Sequence, residues 1–189
     1  MKMDKQTLQD YYEFHLDSFN DLDKGYPDLF FKSTLIWIYS FFESHLKAIS
    51  RLLENEFHFD KKIDDFSRKP TAKHYREFLT KVVKIDLSSV EGTWNKIQGF
   101  QKIRNSIIHD NSVLYDKLSK IEKEEKYLYK LISKHKDTLK IDTDSKSFKI
   151  TDSKLLKEFT KLMYTYIKFI VGQTKEIKLP KKWPFTFPT

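Results

Sequence analysis

No cysteine occurs among the 189 residues of the chain. Its absence removes disulfides, thiolate metal sites and a cysteine nucleophile together, and it fits a reducing compartment. Glycine and proline are scarce, at 4 and 5 residues, so little interrupts regular structure. There is no Gly-rich phosphate loop, no His-Glu-x2-His pair and no paired aspartate cluster. Metal-ion and nucleoside-triphosphate chemistry therefore have no basis in the sequence, and the expectation is a protein with no cofactor and no metal. The most apolar stretch, residues 35–42, is too short to span a bilayer and is followed by Glu43 and His45. The first residues are polar rather than an apolar signal core, so the chain is expected to be soluble and cytoplasmic, without a membrane partner.

What is present is core material. Hydrophobic residues make up 39% and aromatics 15%, enough for one packed domain. Apolar residues recur at helical spacing, which predicts an all-α bundle of four to six helices with a small β-hairpin insertion. A helical domain is expected over 1–178, with an extended tail of prolines and aromatics over 179–189.

Along the chain, a first helix is expected over 4–22, with Leu8, Tyr11, Tyr12, His15 and Phe19 on one side. A turn at 23–27 follows, with Pro27 at the start of a second helix over 28–57. That helix carries Leu35, Ile38, Phe42, Leu46, Ile49 and Leu53 as a core-facing stripe. After a charged loop, Thr71 is an N-cap for a helix to Val83, and residues 86–89 offer caps for a helix over 90–111. An exposed amphipathic helix is expected over 117–135. Alternation around Ile141 and Phe148 predicts the hairpin. Asp152 or Ser153 caps a last helix through Ile170, with Leu155, Phe159, Leu162, Tyr166 and Phe169 inward.

The net charge of +8 and a pI near 9.3 favour polyanionic partners such as RNA. Lys61-Lys62, Arg68-Lys69 and Lys181-Lys182 are tracts that could follow phosphates, or simply solvated surface. His15, His45, His58, His74 and His135 have no partner at metal-ligand spacing.

The informative helix is 90–109. On a wheel of about 100° per residue, Val90, Trp94, Ile97, Phe100, Ile103, Ile107 and Ile108 fall in one broad arc, with Arg104 inside it. Asn105 and His109 stand four apart on one flank. A guanidinium, an amide and an imidazole near one edge suit a phosphodiester: a cation for the non-bridging oxygens, an orienting amide and a proton-transfer group. Glu43, at the margin of its stripe, could pair with Arg104, and Asp110 could support His109.

The run Trp94-x2-Ile97-x2-Phe100-x2-Ile103-Arg104-Asn105-x2-Ile108-His109 resembles the signature helix of the HEPN superfamily, which is marked by Arg, a polar residue often Asn, then His. The resemblance is close over about 25 residues. It implies a helical bundle that often dimerises, with the Arg and His of both subunits lining a shared cleft. Catalytic members cleave RNA without metal by attack of the ribose 2′-oxygen on the adjacent phosphate. On that pattern His109 transfers protons, Arg104 stabilises the developing charge and Asn105 orients one of them. The resemblance further implies a homodimeric toxin or phage-defence effector, held in check by an antitoxin or regulatory partner. One departure concerns that control. A toxin subgroup has Tyr two residues after the His, where its antitoxin attaches nucleotides, and this chain has Asn111 there, with Tyr115 a poor substitute.

The same residues admit other readings. Arg104 could bond a core carboxylate, with His109 closing the helix C-terminus near the negative end of the dipole. The chain would then be a non-catalytic HEPN module binding RNA or a protein partner, or a regulatory subunit of a larger complex.

Overall fold

A computed structural model describes residues 5–114, 130–142 and 147–175. Helix-forming residues give one long helix, α1 (Lys5–Phe57), then α2 (Ala72–Lys81), α3 (Glu91–Asp110) and α4 (Lys154–Lys175). Short 3-10 turns stand at Ile63–Asp65 and Ser88–Val90, and β1 (Leu139–Asp142) pairs antiparallel with β2 (Ser147–Ile150). The described chain is thus all-α with a small hairpin, as its periodicity predicts. The helix expected over 117–135 lies largely outside the described residues, although 130–134 are helical. The tail 179–189 lies outside them too.

The turn expected at 23–27 does not form, because α1 runs through Pro27. Proline forfeits one N–H bond to the preceding turn and crowds its carbonyl, which costs roughly 3 kcal/mol. Continuous helix on both sides offsets that cost, and Gly25 keeps a negative φ as the helix requires. The pair read as a stop signal is accommodated inside the helix.

The described residues divide into two compact units, 1–36 with 103–156 and 37–102 with 157–189. In the second unit the predicted stripe is buried: Ile38, Phe42, Leu46, Ile49 and Leu53 of α1. Tyr39 stacks on Phe159 with ring centroids 6.3 Å apart, and Phe159 stacks on Phe100 at 4.5 Å. Tyr166 is fully buried and meets Phe42 at 6.1 Å and Trp94 at 5.4 Å. Its hydroxyl accepts a hydrogen bond from Arg76 Nε at 3.1 Å, and the Arg76 guanidinium pairs with Glu91 and lies 5.1 Å over the Trp94 ring. The inward face of α4 is Phe159, Met163, Tyr166 and Ile170, while Leu162 and Phe169 stand half-buried at its edge. Glu54 accepts the Ile63 N–H at 2.7 Å and binds Arg51, which also bridges to Asp64 at 2.5 Å.

In the first unit, Leu139 pairs with Ile150 and Ile141 with Phe148, and Leu139, Phe148 and Ile150 are buried. Asp28 Oδ1 accepts the Ile150 N–H at 2.7 Å, while Oδ2 binds Lys32 at 2.7 Å. Lys32 in turn lies 5.4 Å over the Phe148 ring. Asp152 accepts the Lys154 N–H at 2.8 Å, one of the two caps predicted for α4. The side of α1 that carries Leu8, Tyr11, Tyr12 and Phe19 is exposed. No helix of the described residues is long and apolar enough to cross a membrane.

Two outcomes follow. Burial pushes the Tyr166 phenol up to about 12, against the opposing charge of Arg76. A folded-state value above the unfolded value of about 10 stabilises the fold fully below pH 10, and that contribution is lost as pH rises toward 12. Urea denaturation of the wild type should therefore weaken across this window by on the order of 2 kcal/mol more than that of Tyr166→Phe. Asp28→Ala strands the Ile150 N–H and should cost about 1–3 kcal/mol. Amide exchange in β2 should accelerate in that variant, and unchanged protection would mean the anchor is not needed.

Candidate functional site

The motif residues sit on the last two turns of α3. Its buried positions include Trp94, Ile97, Phe100, Ile103 and then Ser106, each three residues after the last, together with Gly99. Three residues fall short of a full turn by about 60°, so the buried stripe winds around the helix instead of running along one side. By the final turns it has moved onto Ile103 and Ser106. Arg104 and Ile107 are consequently half-buried, Ile108 is 40% exposed and His109 is exposed. Arg104, Ile107 and Ile108 share the arc of Trp94 on the wheel but are less buried than its earlier members, although the Arg104 Nε is itself buried. The drift also carries in Ser106, whose hydroxyl is buried and has no hydrogen-bond partner among the described residues.

Arg104 and Asn105 are joined directly, with Arg104 Nη1 donating to Asn105 Oδ1 at 3.0 Å. The amide oxygen is thereby fixed toward the guanidinium, and the amide nitrogen is turned away from it as a donor. Both groups then present donors suited to anionic oxygens. His109 follows Asn105 by four residues on the same flank of the helix, at its exposed end.

The helix stops one residue after His109 in an unusual way. Asn111 and Ser112 both take the left-handed region, at φ 50 and 65. Asn tolerates this conformation, but a buried Ser pays roughly 1–2 kcal/mol for it. Two bonds hold the conformation: the Ser112 N–H reaches back to the Ser106 carbonyl at 3.0 Å, and the Val113 N–H to the Asp110 carbonyl at 2.8 Å. The Ser112 carbonyl accepts the Phe148 N–H at 3.0 Å, and Val113 bridges to Ser147. The start of β2 is therefore pinned to the segment that follows His109. Asn111 is a cue to a left-handed helix end, but neither the second left-handed residue, Ser112, nor this pinning carries a sequence signal.

The two supporting candidates are placed differently. Glu43 Oε1 accepts the Ala72 N–H at 2.7 Å, at the positive N-terminal end of α2. The Asp110 side chain is exposed. Among the other histidines, His74 has a structural task that its polar setting hid. Its Nδ1 accepts the Thr71 N–H at 3.1 Å, completing the first turn of α2, and the Thr71-x2-His74 spacing of a capping box was the available cue. Among the described residues, no group of three or more His, Asp or Glu side chains is arranged to hold a metal ion.

Removing the Glu43 carboxylate should leave the first N–H of α2 without its charged acceptor. Glu43→Ala is expected to lose about 1–3 kcal/mol of stability to urea, with Glu43→Gln retaining part of it. Full stability in both variants would show that the carboxylate is held for another purpose. Comparison of the chain with protein-family models, with curated proteins and with solved structures gives no match.

Proposed function

We propose that this protein is a metal-independent endoribonuclease of the kind that the α3 motif resembles, with Arg104, Asn105 and His109 as its working groups. The observation that carries the reading is the Arg104–Asn105 hydrogen bond, with an exposed imidazole one turn further on. The net charge of +8 supports an RNA substrate.

In the reaction, the ribose 2′-oxygen attacks the adjacent phosphorus and the bond to the 5′-oxygen breaks. The products are a 2′,3′-cyclic phosphate and a 5′-hydroxyl. His109 transfers a proton, taking it from the 2′-hydroxyl or giving it to the departing 5′-oxygen. Arg104 faces the charge that grows on the non-bridging oxygens, and Asn105 holds the guanidinium in place while its amide nitrogen donates. The protein acts as a homodimer in the cytoplasm, as a toxin or phage-defence effector restrained by a protein partner. Glu43 contributes through the architecture of α2 rather than by touching substrate.

The test is cleavage of total and transfer RNA in EDTA by wild type, His109→Ala and Arg104→Ala. The reading expects fragments ending in cyclic phosphate from the wild type, and at least a ~100-fold loss in each folded variant. Equal cleavage by all three would overturn the assignment. No cleavage by concentrated wild type would move the protein to the class of RNA- or partner-binding modules.

A further inference from the structure

Along the N-terminal half of α1, Leu8, Tyr12, His15, Phe19, Leu22, Tyr26 and Leu29 recur at alternating intervals of four and three. That is a heptad seam sustained over three repeats, and it keeps one stripe of a helix facing a second helix. Its six apolar members are 42% to 70% exposed. Tyr11, Leu16 and Phe30, all more than half exposed, widen the stripe on either side. Exposed apolar side chains scattered singly need no explanation, but an unbroken stripe roughly 30 Å long does.

We propose that this stripe is a self-association surface, on which a second copy of the chain lays the same stripe of its own α1. Three observations select that occupant. The nine apolar side chains expose roughly 1,000 Å² per copy, so covering most of that surface reaches the ~800 Å² per partner of a standard stable interface. Of the eight positions flanking the seam, only Asp23 and Lys32 are charged, and their signs are opposite, so the flanks of the seam carry no run of like charge. The remaining charges of the segment are dominated by Asp10, Glu13, Asp17, Asp21 and Asp28. An acidic helix inside a chain of net charge +8 is the wrong sign for an anionic bilayer or a nucleic acid, both of which select basic helices. The proposal does not rest on the ribonuclease reading, because association and cleavage are measured separately.

Sedimentation equilibrium of the full chain tests it. Wild type should be dimeric at micromolar concentration, and Leu22→Glu should weaken the dimer by roughly a hundredfold or more while circular dichroism shows the helical content retained. Because the chain has no cysteine, an introduced thiol is unique. Phe19 lies near the middle of the seam, where a parallel pair, or an antiparallel pair centred on the seam, brings the two copies of the residue close. Phe19→Cys should therefore link two copies under mild oxidation, whereas Asp10→Cys, on the other side of the helix, should not. A monomeric wild type would overturn the proposal. So would a dimer that tolerates Leu22→Glu, or one linked as readily through Asp10→Cys as through Phe19→Cys.

Discussion

A carboxylate that accepts a backbone N–H from a segment distant in sequence fixes where that segment begins and which way it runs. α1 does this three times between Asp28 and Glu54. Asp28 takes the N–H of Ile150, Glu43 that of Ala72 and Glu54 that of Ile63, each at 2.7 Å. Charge-assisted bonds of this length are about twice as strong as neutral ones, and each satisfies a backbone donor at the edge of an element, where regular structure leaves donors unpaired. The hairpin, α2 and the 3-10 turn are thus registered against the helix by side chains that apolar packing alone would not position. Each anchor stays within its own compact unit.

Much of this architecture was legible in the sequence. The stripe from Leu35 to Leu53 declared itself by spacing and is buried, and Thr71 and Asp152 marked the starts of α2 and α4. These are local signals, decided within one or two turns. The continuity of α1 through Pro27 was not legible, because a proline at a helix start and one inside a long helix leave the same mark on neighbouring residues. Nor were the three anchors. Asp28, Glu43 and Glu54 look like ordinary helix-edge acids, and only the fold names their partners 9 to 122 residues away.

The site was half legible for a related reason. Arg104, Asn105 and His109 stood out by type and spacing, yet a fixed wheel put Arg104 with the buried arc. A stripe built mainly on intervals of three rotates as it advances, and at the motif it reaches Ile103 and Ser106 and leaves Arg104 half-buried, with its Nε inside. The same rotation leaves the end of α3 open. A run of hydrogen bonds then holds that end: the Ser112 N–H to the Ser106 carbonyl, the Phe148 N–H to the Ser112 carbonyl, and the Ile150 N–H to the Asp28 side chain on α1. The strain at Asn111 and Ser112 is sustained by this run, which makes the hairpin a positioning element for the turn beside His109.

Openness sets a physical demand on the ribonuclease reading. A guanidinium 4 Å from a unit negative charge gains about 1 kcal/mol in bulk water and about 4 kcal/mol at an effective dielectric of 20. Phosphoryl chemistry draws its acceleration from the difference between those regimes, so a half-buried Arg104 beside an exposed His109 is under-equipped in a single copy. What would complete the site is a surface that covers the end of α3, excludes water and brings a second proton-transfer group. On the proposed reading a second copy of the chain would supply them, bringing its own Arg104 and His109. The apolar stripe of α1 belongs to the same compact unit as the motif residues, and it offers a means of holding such a copy that costs the site no side chain of its own. Dimer formation would then be necessary for catalysis without being sufficient for it.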